Sequence, residues 1–430
     1  MISIQDLYKI YQDYPSVQTD TRALKKGDIF FALKGPNFNG NLFVQDALDA
    51  GAAYAVADEY VHDNPVILQV PDVLEALQQL AHFHRQQFSI PFIAITGSNG
   101  KTTTKELIHA VLSSKYKTYT TTGNLNNHIG VPLTILKIKK DAEMAVVEMG
   151  ANHLKEIESY CKIVQPTHGI ITNCGRAHLE GFGSEEGVRK GKGELFDWLK
   201  HSDGSAFVNS DLLYLEEMSK GIQKIYKYGT VDGIITGQVT TSDPFLKISI
   251  EKIEGIQNIQ TNLAGKYNLP NVLCAVAIAH HFEVPGLMIK NAIESYIPSN
   301  SRSQIIKKNT NTILFDAYNA NPDSMHAAIQ NFAEIQHANK VLLLGAMKEL
   351  GEQSVEEHEN LLSEIKKYSW KEVVLVGGDF EKISIAPFHY FPNSLDAGKW
   401  LKEKNISNSF ILLKGSRATE MEKVLEYLEA

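Results

Sequence analysis

The sequence predicts an α/β protein with three domains, and three observations support that prediction. Short apolar runs bounded by glycine alternate with helix-length segments over most of the chain. Strands that alternate with helices in this way favour parallel sheets covered by helices. The length of 430 residues allows two to four domains at about 150 residues each. The segments 1–88, 89–298 and 299–430 differ in pattern, and we expect them to be the three domains.

The first segment, residues 1–88, mixes short strands with short helices. A turn followed by a strand is predicted at 27–33, and a second strand at 53–57. Helices are predicted at 44–50 and at 73–87, and the later helix leads out of the segment. We therefore expect a small α/β domain here.

The central segment, residues 89–298, opens with an apolar run at 91–97 that suits a strand buried on both faces. A polar, β-rich stretch at 226–263 is expected to add an antiparallel flank to a mostly parallel sheet. The other predicted elements are strands at 145–148 and 169–173 and helices at 102–113, 185–199, 268–282 and 287–295.

The third segment, residues 299–430, alternates strand and helix regularly. Its predicted strands are 312–315, 341–344, 373–376 and 410–413, and its predicted helices are 324–336, 355–367, 395–404 and a closing helix. This pattern indicates a second doubly wound unit, yet the segment lacks the G-x-G-x-x-G motif of dinucleotide-binding domains.

Composition excludes some functions. The hydrophobic fraction of 43% and the charged fraction of 21% are ordinary for a soluble globular protein. The net charge of −8 argues against a nucleic-acid partner. No apolar stretch reaches the roughly 18 residues of a membrane span, and residues 1–6 lack the features of a signal peptide. The three widely spaced cysteines, Cys161, Cys174 and Cys274, fit a reducing cytoplasm.

A phosphate-binding loop is predicted where the first central strand ends and a helix begins. Glycines there let backbone N–H groups close around phosphate oxygens, and the helix N-terminus adds partial positive charge. Lys101 would supply a point charge, and the hydroxyl of Thr102 could ligate Mg²⁺. Ile95 stands where the usual motif has its first glycine, and the alternative is a strand–helix turn without a ligand. The predicted loop residues are Gly97, Ser98, Asn99, Gly100, Lys101, Thr102 and Thr103.

Two further strands are predicted to bring polar side chains to the same edge of the sheet. Glu148 ends a buried strand, and a carboxylate at that edge suits Mg²⁺. His178 follows the next strand and could bind a second metal ion. The alternatives are a rim carboxylate paired with a lysine, and a histidine with a structural role.

These residues resemble the Mur ligase family of peptidoglycan synthesis. The resemblance is carried by residues 96–104, 148–150 and 173–180 and extends over essentially the whole chain. Longer matching strings lie at 122–132, 316–325, 344–351 and 413–417. The resemblance implies a small α/β domain for a UDP-sugar substrate, a central P-loop-type ATPase, and a C-terminal Rossmann-like domain that closes over the site.

The resemblance also implies a reaction. Such an enzyme would use ATP to join D-alanyl-D-alanine to UDP-N-acetylmuramoyl-tripeptide through an acyl-phosphate, in the cytoplasmic synthesis of a peptidoglycan precursor. The implied cofactors are ATP, two Mg²⁺ ions and a carbamylated lysine. The chain would act as a monomer, without a nucleic-acid partner and without a membrane span.

The functional residues of the family correspond to individual positions in this sequence. The implied catalytic residues are Lys101, Glu148, His178, Arg302 and Lys192, the last as the carbamylated lysine. The implied metal ligands are Thr102, Glu148, His178 and Lys192, and the implied nucleotide contacts outside the loop are Asn268, Asn271, Arg302 and Asp316. The implied substrate contacts are Thr21, Arg22, Asn124, Asn126, Asn127, Tyr318, Asn319 and Asn321.

Three alternative interpretations stand beside this one. A sister enzyme is the first; the UDP-type first domain disfavours a folylpolyglutamate synthetase, and the string at 316–325 disfavours other Mur ligases. A nucleotide-binding module that has lost catalysis is the second, and the intact catalytic residues argue against it. In the third, the asparagine-rich turn at 319–321 only caps the following helix, and this segment contacts ribose through Asp316. The sequence also departs from the family pattern, for example with Tyr267 in place of a common histidine.

Overall fold

The computed structural model describes residues 1–299 and 301–428 and builds them into three α/β units in chain order. The units contain sheets of four, nine and six strands, and a two-stranded ribbon accompanies the first. The predicted fold class is therefore confirmed, while the boundaries after residues 88 and 298 stay predictions. Residues 300, 429 and 430 of the predicted third domain lie outside the described residues. Within the described residues, no helix is long and apolar enough to cross a membrane.

The first unit is a small parallel sheet with three helices. Its strands are β1 (Val17–Gln18), β2 (Ile29–Phe31), β3 (Lys34–Gly35), β4 (Phe38–Asn39), β5 (Tyr54–Ala57) and β6 (Ile67–Gln69), and its helices are α1 (Ile4–Asp13), α2 (Val44–Asp49) and α3 (Val73–Arg85). The sheet order is β1-β2-β5-β6, and β3 and β4 form the ribbon. Asp72 caps α3, because its Oδ1 accepts a hydrogen bond from the Glu75 N–H at 2.7 Å.

The central unit contains the nine-stranded sheet. Its strands are β7 (Phe92–Thr96), β8 (Thr118–Thr120), β9 (Met144–Glu148), β10 (His168–Ile171), β11 (Ser205–Asn209), β12 (Lys224–Gly229), β13 (Ile235–Thr241), β14 (Phe245–Glu251) and β15 (Asn258–Ala264). Its helices are α4 (Lys101–Ser113), α5 (Gly130–Leu136), α6 (Glu156–Val164), α7 (Leu179–Phe182), α8 (Glu185–His201), α9 (Leu213–Ser219), α10 (Leu269–His281) and α11 (Gly286–Ser295). The sheet order is β15-β14-β13-β12-β11-β10-β7-β9-β8. The β13–β14 and β14–β15 pairs are antiparallel, so the predicted antiparallel flank is confirmed for these strands, whereas β12, at the start of the predicted stretch, pairs in parallel with β11 and β13.

The third unit is a doubly wound sheet with two strands that were not predicted. Its strands are β16 (Gln304–Lys308), β17 (Asn311–Asp316), β18 (Lys340–Gly345), β19 (Glu372–Val376), β20 (His389–Phe391) and β21 (Phe410–Lys414), and its helices are α12 (Pro322–Glu334), α13 (Ser354–Ile365) and α14 (Ser394–Glu403). The sheet order is β16-β17-β21-β18-β19-β20. The predicted closing helix is a 3₁₀ helix, Met421–Leu428. Its buried Met421 and Val424 are three residues apart, the spacing at which side chains eclipse in a 3₁₀ helix.

The order of the central strands brings three carboxyl ends together. Strand β7 lies between β10 and β9, and all three run parallel. Ile171 pairs with Thr96, and Ile95 pairs with Glu148, so the strands end at nearly the same level. The loops that follow them therefore share one edge of the sheet, which is where open α/β sheets bind ligands.

The first and central units share one hydrophobic core. A single cluster of buried side chains includes Leu7 and Leu77 of the first unit together with Val147 and Leu195 of the central unit. The third unit is built around separate clusters on the two faces of its own sheet. The first two units therefore pack as one body.

Arg85 fastens the end of α3 to the central unit. Its buried guanidinium donates hydrogen bonds to the carbonyl oxygens of Val164 at 2.6 Å, Phe88 at 2.8 Å and Gln165 at 2.9 Å. Its Cζ also lies 3.7 Å from the ring centroid of Phe92, the first residue of β7. Burial lowers the pKa of Arg85 to about 10, so it stays charged at neutral pH.

We predict that Arg85→Ala destabilises the body formed by the first two units by about 3 kcal/mol, because it leaves one buried and two partly buried carbonyl groups without their donor. Chemical unfolding followed by circular dichroism measures this change. Lys9→Ala is the control, since Lys9 pairs with Asp6 at an exposed site. Equal unfolding midpoints for Arg85→Ala and Lys9→Ala would contradict the role given to Arg85.

Candidate active site

The predicted phosphate loop connects β7 to α4, and its glycines are required by both conformation and space. Gly97 has a φ of +144°, and a Cβ there would lie 2.0 Å from Thr172 Oγ1. Gly100 has a φ of +81°, and a Cβ there would lie 2.6 Å from Asn271 Oδ1. Helix α4 begins at Lys101, so its first N–H groups and the positive end of its dipole face the loop.

The segment after β10 holds the phosphate loop in place. The N–H of Ser98 donates to the carbonyl oxygen of Asn173, and the N–H of Asn99 donates to the side-chain oxygen of Asn173, both at 2.9 Å. Ser98 Oγ donates to the Gly175 carbonyl at 3.0 Å and accepts from the Gly175 N–H at 3.0 Å. Thr172 Oγ1 donates to the Asn99 carbonyl at 2.6 Å. These bonds hold the loop in this conformation.

The side chain of Lys101 folds back onto the phosphate loop. Its Nζ donates to the carbonyl oxygens of Gly97 at 2.6 Å and Ser98 at 3.2 Å. Burial lowers the pKa of Lys101 to about 8, with a smaller lowering from Arg302 and an opposing effect of Glu148. The amine therefore keeps most of its positive charge at neutral pH.

Glu148 ends β9 beside the loop and is almost fully buried. Its Oε1 accepts hydrogen bonds from Thr102 Oγ1 at 3.1 Å and Asn126 Nδ2 at 2.8 Å. Among the residues that the structure describes, Glu148 Oε2 has no hydrogen-bond partner. A buried carboxylate oxygen in that state is costly, so it is suited to receive a ligand.

These oxygens fit the predicted Mg²⁺ site. Mg²⁺ is usually bound through one or two carboxylates, with substrate phosphates and waters completing its shell. Glu148 Oε2 and the Thr102 hydroxyl supply hard oxygen donors beside the phosphate loop. In the described part of the chain, no group of three or more His, Cys, Asp or Glu side chains is arranged to hold a metal ion, so an all-protein metal cage is not observed there.

His178, the predicted ligand of a second metal, contacts the third unit. It precedes α7 with a φ of +55°, and its Nδ1 lies 2.5 Å from Glu349 Oε2. The contact with His178 lowers the pKa of the Glu349 carboxyl. The N–H of Glu180 also donates to the Glu349 carbonyl at 3.3 Å. Sequence reasoning did not identify Glu349, and its place in the string at 344–351 was the available signal.

Lys192 is fully buried in α8, behind the wall of the cavity. Its Nζ donates to the carbonyl oxygen of Ala151 at 2.7 Å, and Ala151 lines the cavity. Burial, with a smaller contribution from the charge of Lys101, lowers the pKa of Lys192 to about 7. A lysine with this pKa is neutral in roughly half of the molecules at pH 7, whereas an ordinary lysine is almost entirely charged.

The third unit faces the loop with cationic and aromatic groups. The Cζ of Arg302 lies 3.9 Å from the ring centroid of Tyr318, and its Nε has no hydrogen-bond partner among the described residues. Asp316 Oδ2 accepts a hydrogen bond from Lys414 Nζ at 2.7 Å. Asp316 and Lys414 are register partners in β17 and β21, which explains their pairing.

Asn321 joins the third unit to the phosphate loop. Its Nδ2 donates to Asn99 Oδ1 at 2.8 Å, and its Oδ1 accepts from the Ser324 N–H at 2.9 Å, capping α12. The helix-capping alternative is therefore observed at this residue. A contact of Asn321 with substrate stays a prediction, and it would require one of these bonds to be exchanged.

The segment predicted to meet adenine packs directly on the loop. Asn271 Oδ1 accepts from Thr104 Oγ1 at 3.0 Å, and Asn271 Nδ2 donates to Asn268 Oδ1 at 2.9 Å. Tyr267, which departs from the family pattern, lies with its hydroxyl 3.2 Å from Ser303 Oγ, next to Arg302. This contact connects the segment to the start of the third unit.

A cavity of about 740 Å³ unites most of the predicted residues. The predicted residues that line it are Ser98, Asn99, Gly100, Lys101, Thr102, Thr103, Asn126, Asn127, Glu148, His178, Asn268, Asn271, Arg302, Asp316, Tyr318 and Asn319. The predicted residues outside its lining are Thr21, Arg22, Gly97, Asn124, Lys192 and Asn321.

The residues outside the cavity differ in their surroundings. Thr21 and Arg22 lie in an exposed 3₁₀ turn of the first unit, where Arg22 Nη2 is 2.7 Å from Asp20 Oδ2. Asn124 is exposed on the loop before α5. Sequence reasoning missed Tyr214, which lines the cavity and accepts a hydrogen bond from the Cys174 N–H at 2.9 Å; no motif contains it.

Comparison with known proteins agrees with this architecture, a three-unit α/β enzyme with a phosphate loop at a domain interface. Three family models match: "Mur ligase family, catalytic domain" over residues 13–85, "Mur ligase middle domain" over 95–279, and "Mur ligase, glutamate ligase domain" over 301–417. The UDP-N-acetylmuramoyl-tripeptide--D-alanyl-D-alanine ligase of Bacillus subtilis is 33% identical over 425 residues, which cover 96% of this chain and 92% of that protein.

Solved structures give the same result. A MurF crystal structure from Acinetobacter baumannii has a TM-score of 0.89 and 30% identity, covering 100% of this chain and 99% of that one. The MurF ligase of Thermotoga maritima in complex with ADP has a TM-score of 0.85 and 27% identity, covering 96% and 97%. The chain therefore belongs to the Mur ligase family, within its MurF group.

We predict that Gly97→Ala weakens nucleotide binding at least tenfold while the chain stays folded. An added Cβ would collide with Thr172 Oγ1 at 2.0 Å, and the backbone conformation is unfavourable for alanine. Calorimetric titration with ATP and Mg²⁺ measures the loss. Gly35→Ala is the matched control, because a Cβ there meets no atom of the described residues within 4 Å. Wild-type affinity in Gly97→Ala would rule out the assigned phosphate loop.

Proposed function

We propose that this chain is an ATP-dependent amide ligase that joins D-alanyl-D-alanine to UDP-N-acetylmuramoyl-tripeptide through an acyl-phosphate. The observation that carries the proposal is the cavity in which the phosphate loop and Glu148 face Arg302 and Tyr318. The names of full-length relatives support the choice of substrates. The proposed setting is the cytoplasm, and three buried free thiols support a reducing compartment. The proposed active form is a monomer.

The chemistry explains why ATP and a closed site are needed. A free carboxylate is a poor electrophile, because its leaving group would be oxide. Transfer of the γ-phosphoryl group of ATP to the tripeptide carboxylate creates an acyl-phosphate with a good leaving group. The dipeptide amine then attacks, and the tetrahedral intermediate collapses with release of phosphate. Water would hydrolyse the acyl-phosphate, so the third unit has to cover it.

The residues of the two cavity walls would have different roles in the reaction. Lys101 and the loop N–H groups would hold the β- and γ-phosphates, as positioning and charge stabilisation dominate phosphoryl transfer. Thr102 and Glu148 would hold one Mg²⁺, which neutralises phosphate charge. Arg302 would reach the γ-phosphate from the opposite wall, and its unpartnered Nε among the described residues supports that role. Asp316 would hold the ribose, and Asn268 and Asn271 would meet adenine.

Substrate recognition would be shared between the units. The first unit would bind the UDP-sugar, with Thr21 and Arg22 as contacts and Asn124 nearer the peptide. Asn126, Asn127, Tyr318 and Asn319 line the cavity, and amide and hydroxyl groups suit peptide bonds and zwitterionic termini because they donate and accept.

Lys192 is proposed to be carbamylated. Its neutral amine would add to carbon dioxide, forming an N–C bond and releasing a proton, and the resulting carbamate supplies oxygen donors. The lowered pKa of about 7 supports this step, since only the neutral amine reacts. Lys192 and His178 would together hold a second Mg²⁺. His178 would have to exchange its contact with Glu349 to do so.

The proposal is tested by an assay of amide formation and phosphate release with several substrate pairs. UDP-N-acetylmuramoyl-tripeptide with D-alanyl-D-alanine should react well, and single D-alanine should react about 10²-fold or more slowly, since a site that hydrogen-bonds a missing group rejects the shorter substrate. Lys101→Ala is the control for catalysis and should lose about 10²-fold or more in rate.

Other outcomes of the same assay would favour the alternatives. Efficient ligation of glutamate to a folate, or of a single amino acid to a shorter UDP-muramyl peptide, would identify a sister enzyme. Failure to release phosphate with any pair would indicate a module that has lost catalysis.

We predict that Lys192→Ala is nearly inactive and is partly rescued by short carboxylates such as acetate or formate. In the wild type, activity after bicarbonate depletion should fall as the pH drops through about 7, because the folded-state pKa of Lys192 is lowered to that value and protonation removes the reactive amine. Mass spectrometry of rapidly quenched protein and initial rates measure these effects. Full activity of Lys192→Ala, with no response to bicarbonate, would refute the assignment.

A further inference from the structure

Arg176 occupies a place where the phosphate loop and the third unit meet. It follows Gly175, whose carbonyl and N–H groups are both bonded to Ser98 Oγ of the loop at 3.0 Å. Its own backbone is therefore fixed relative to the loop. The functional residues assigned above do not include Arg176.

The side chain and backbone of Arg176 bind two carboxylates of the third unit. Arg176 Nη1 donates to Glu357 Oε1 at 2.6 Å, on α13. Its Nε donates to Asp323 Oδ1 at 3.3 Å, and its N–H donates to Asp323 Oδ2 at 2.8 Å, on the first turn of α12. One residue of the central unit thus contacts both helices that face it.

Glu357 is the most buried of the three side chains in this contact. The side chain of Glu357 is 6% exposed, whereas those of Arg176 and Asp323 are 32% and 36% exposed. A buried carboxylate without a cation is strongly unfavourable, whereas a hydrated one is not. If Arg176 were replaced, the Glu357 carboxylate would be buried without a cation. Separation of the units would then be favoured, because it would hydrate that carboxylate. Arg176 therefore favours the closed arrangement over an open one, which is the condition for shifting such an equilibrium.

Gly175 allows α12 of the third unit to approach the central unit closely. A Cβ at Gly175 would lie 2.1 Å from Asp323 Oδ2, so a side chain there would hold α12 away. The Asn99–Asn321 bond lies between the same two units and holds the loop itself. The position of α12 is thus linked to the loop through both contacts.

We propose that Arg176 is a positioning residue that clasps the third unit against the phosphate loop through Asp323 and Glu357, so that the closed cavity forms. The kinetic part of this proposal rests on the proposed ligase function. The conformational part does not, because it concerns the arrangement of the two units with nucleotide alone.

The test compares wild type with R176E, R176K, E357R and the double variant R176E/E357R. Small-angle X-ray scattering with a non-hydrolysable ATP analogue and Mg²⁺ measures the radius of gyration. We expect a larger radius for R176E and E357R, a wild-type radius for the reversed pair, and an intermediate one for R176K. K227E is the matched control, because Lys227 pairs with Glu216 at 2.8 Å inside the central unit. It should keep the wild-type radius and activity.

Kinetics separate a positioning role from a structural one. R176E should lower kcat about 10²-fold, the scale expected when reacting groups are displaced by about 1 Å, and should also raise the KM for ATP, because Arg302 and Asp316 of the third unit are proposed to contact the nucleotide. The reversed pair should recover most of kcat. Equal radii for wild type and R176E, or an R176E/E357R protein as expanded as R176E, would overturn the proposal.

A folding failure of R176E and a lack of ligase activity in the wild type would bear on different parts of the proposal. Should R176E fail a circular dichroism check of folding, E357Q removes the same ion pair from the other unit, and an E357Q radius equal to wild type would overturn the proposal. Should the wild type fail to join D-alanyl-D-alanine, the proposed function is wrong, and the scattering comparison still decides the clasp.

Discussion

The loops that follow neighbouring parallel strands begin at the same edge of a sheet, and the whole site depends on this alignment of strand ends. Strands β10, β7 and β9 end together, so the loop after β7 lies between the segment after β10 and the carboxylate that ends β9. The loop is then bonded to Asn173 through the Asn99 N–H and to Gly175 through Ser98 Oγ, and the Thr102 hydroxyl reaches Glu148. The conformation of the loop therefore depends on strand order more than on contacts within the loop.

The sequence predicted best the features that arise from local pattern. The buried strands β7 and β9 of the central sheet are largely apolar runs, and the phosphate loop follows β7 with its glycines at fixed spacing. The third unit was predicted with four strands because β16 and β20 are edge strands that are only partly buried. Such strands lack the long apolar signal of central ones.

Contacts between units were not predictable from the sequence. Glu349 meets His178, and Arg176 meets Glu357, across distances of more than 170 residues along the chain. The local sequence around either residue of a pair does not indicate its partner. Asn321 illustrates the same limit, because a motif suggested substrate contact while the fold uses both ends of its amide. The pKa of Lys192 is also a tertiary property, since it comes from burial and from the charge of Lys101.

The cavity is walled by two bodies, and this has a consequence for any molecule designed to fill it. A compound that touches both Asn271 and Tyr318 binds fully only in molecules whose third unit is docked. Its apparent dissociation constant is the intrinsic one divided by the docked fraction, so the measured affinity contains the cost of docking. The apparent dissociation constant of a compound that contacts only the phosphate loop does not contain the cost of docking. Comparing the two kinds of compound would therefore report how often the enzyme is docked at rest.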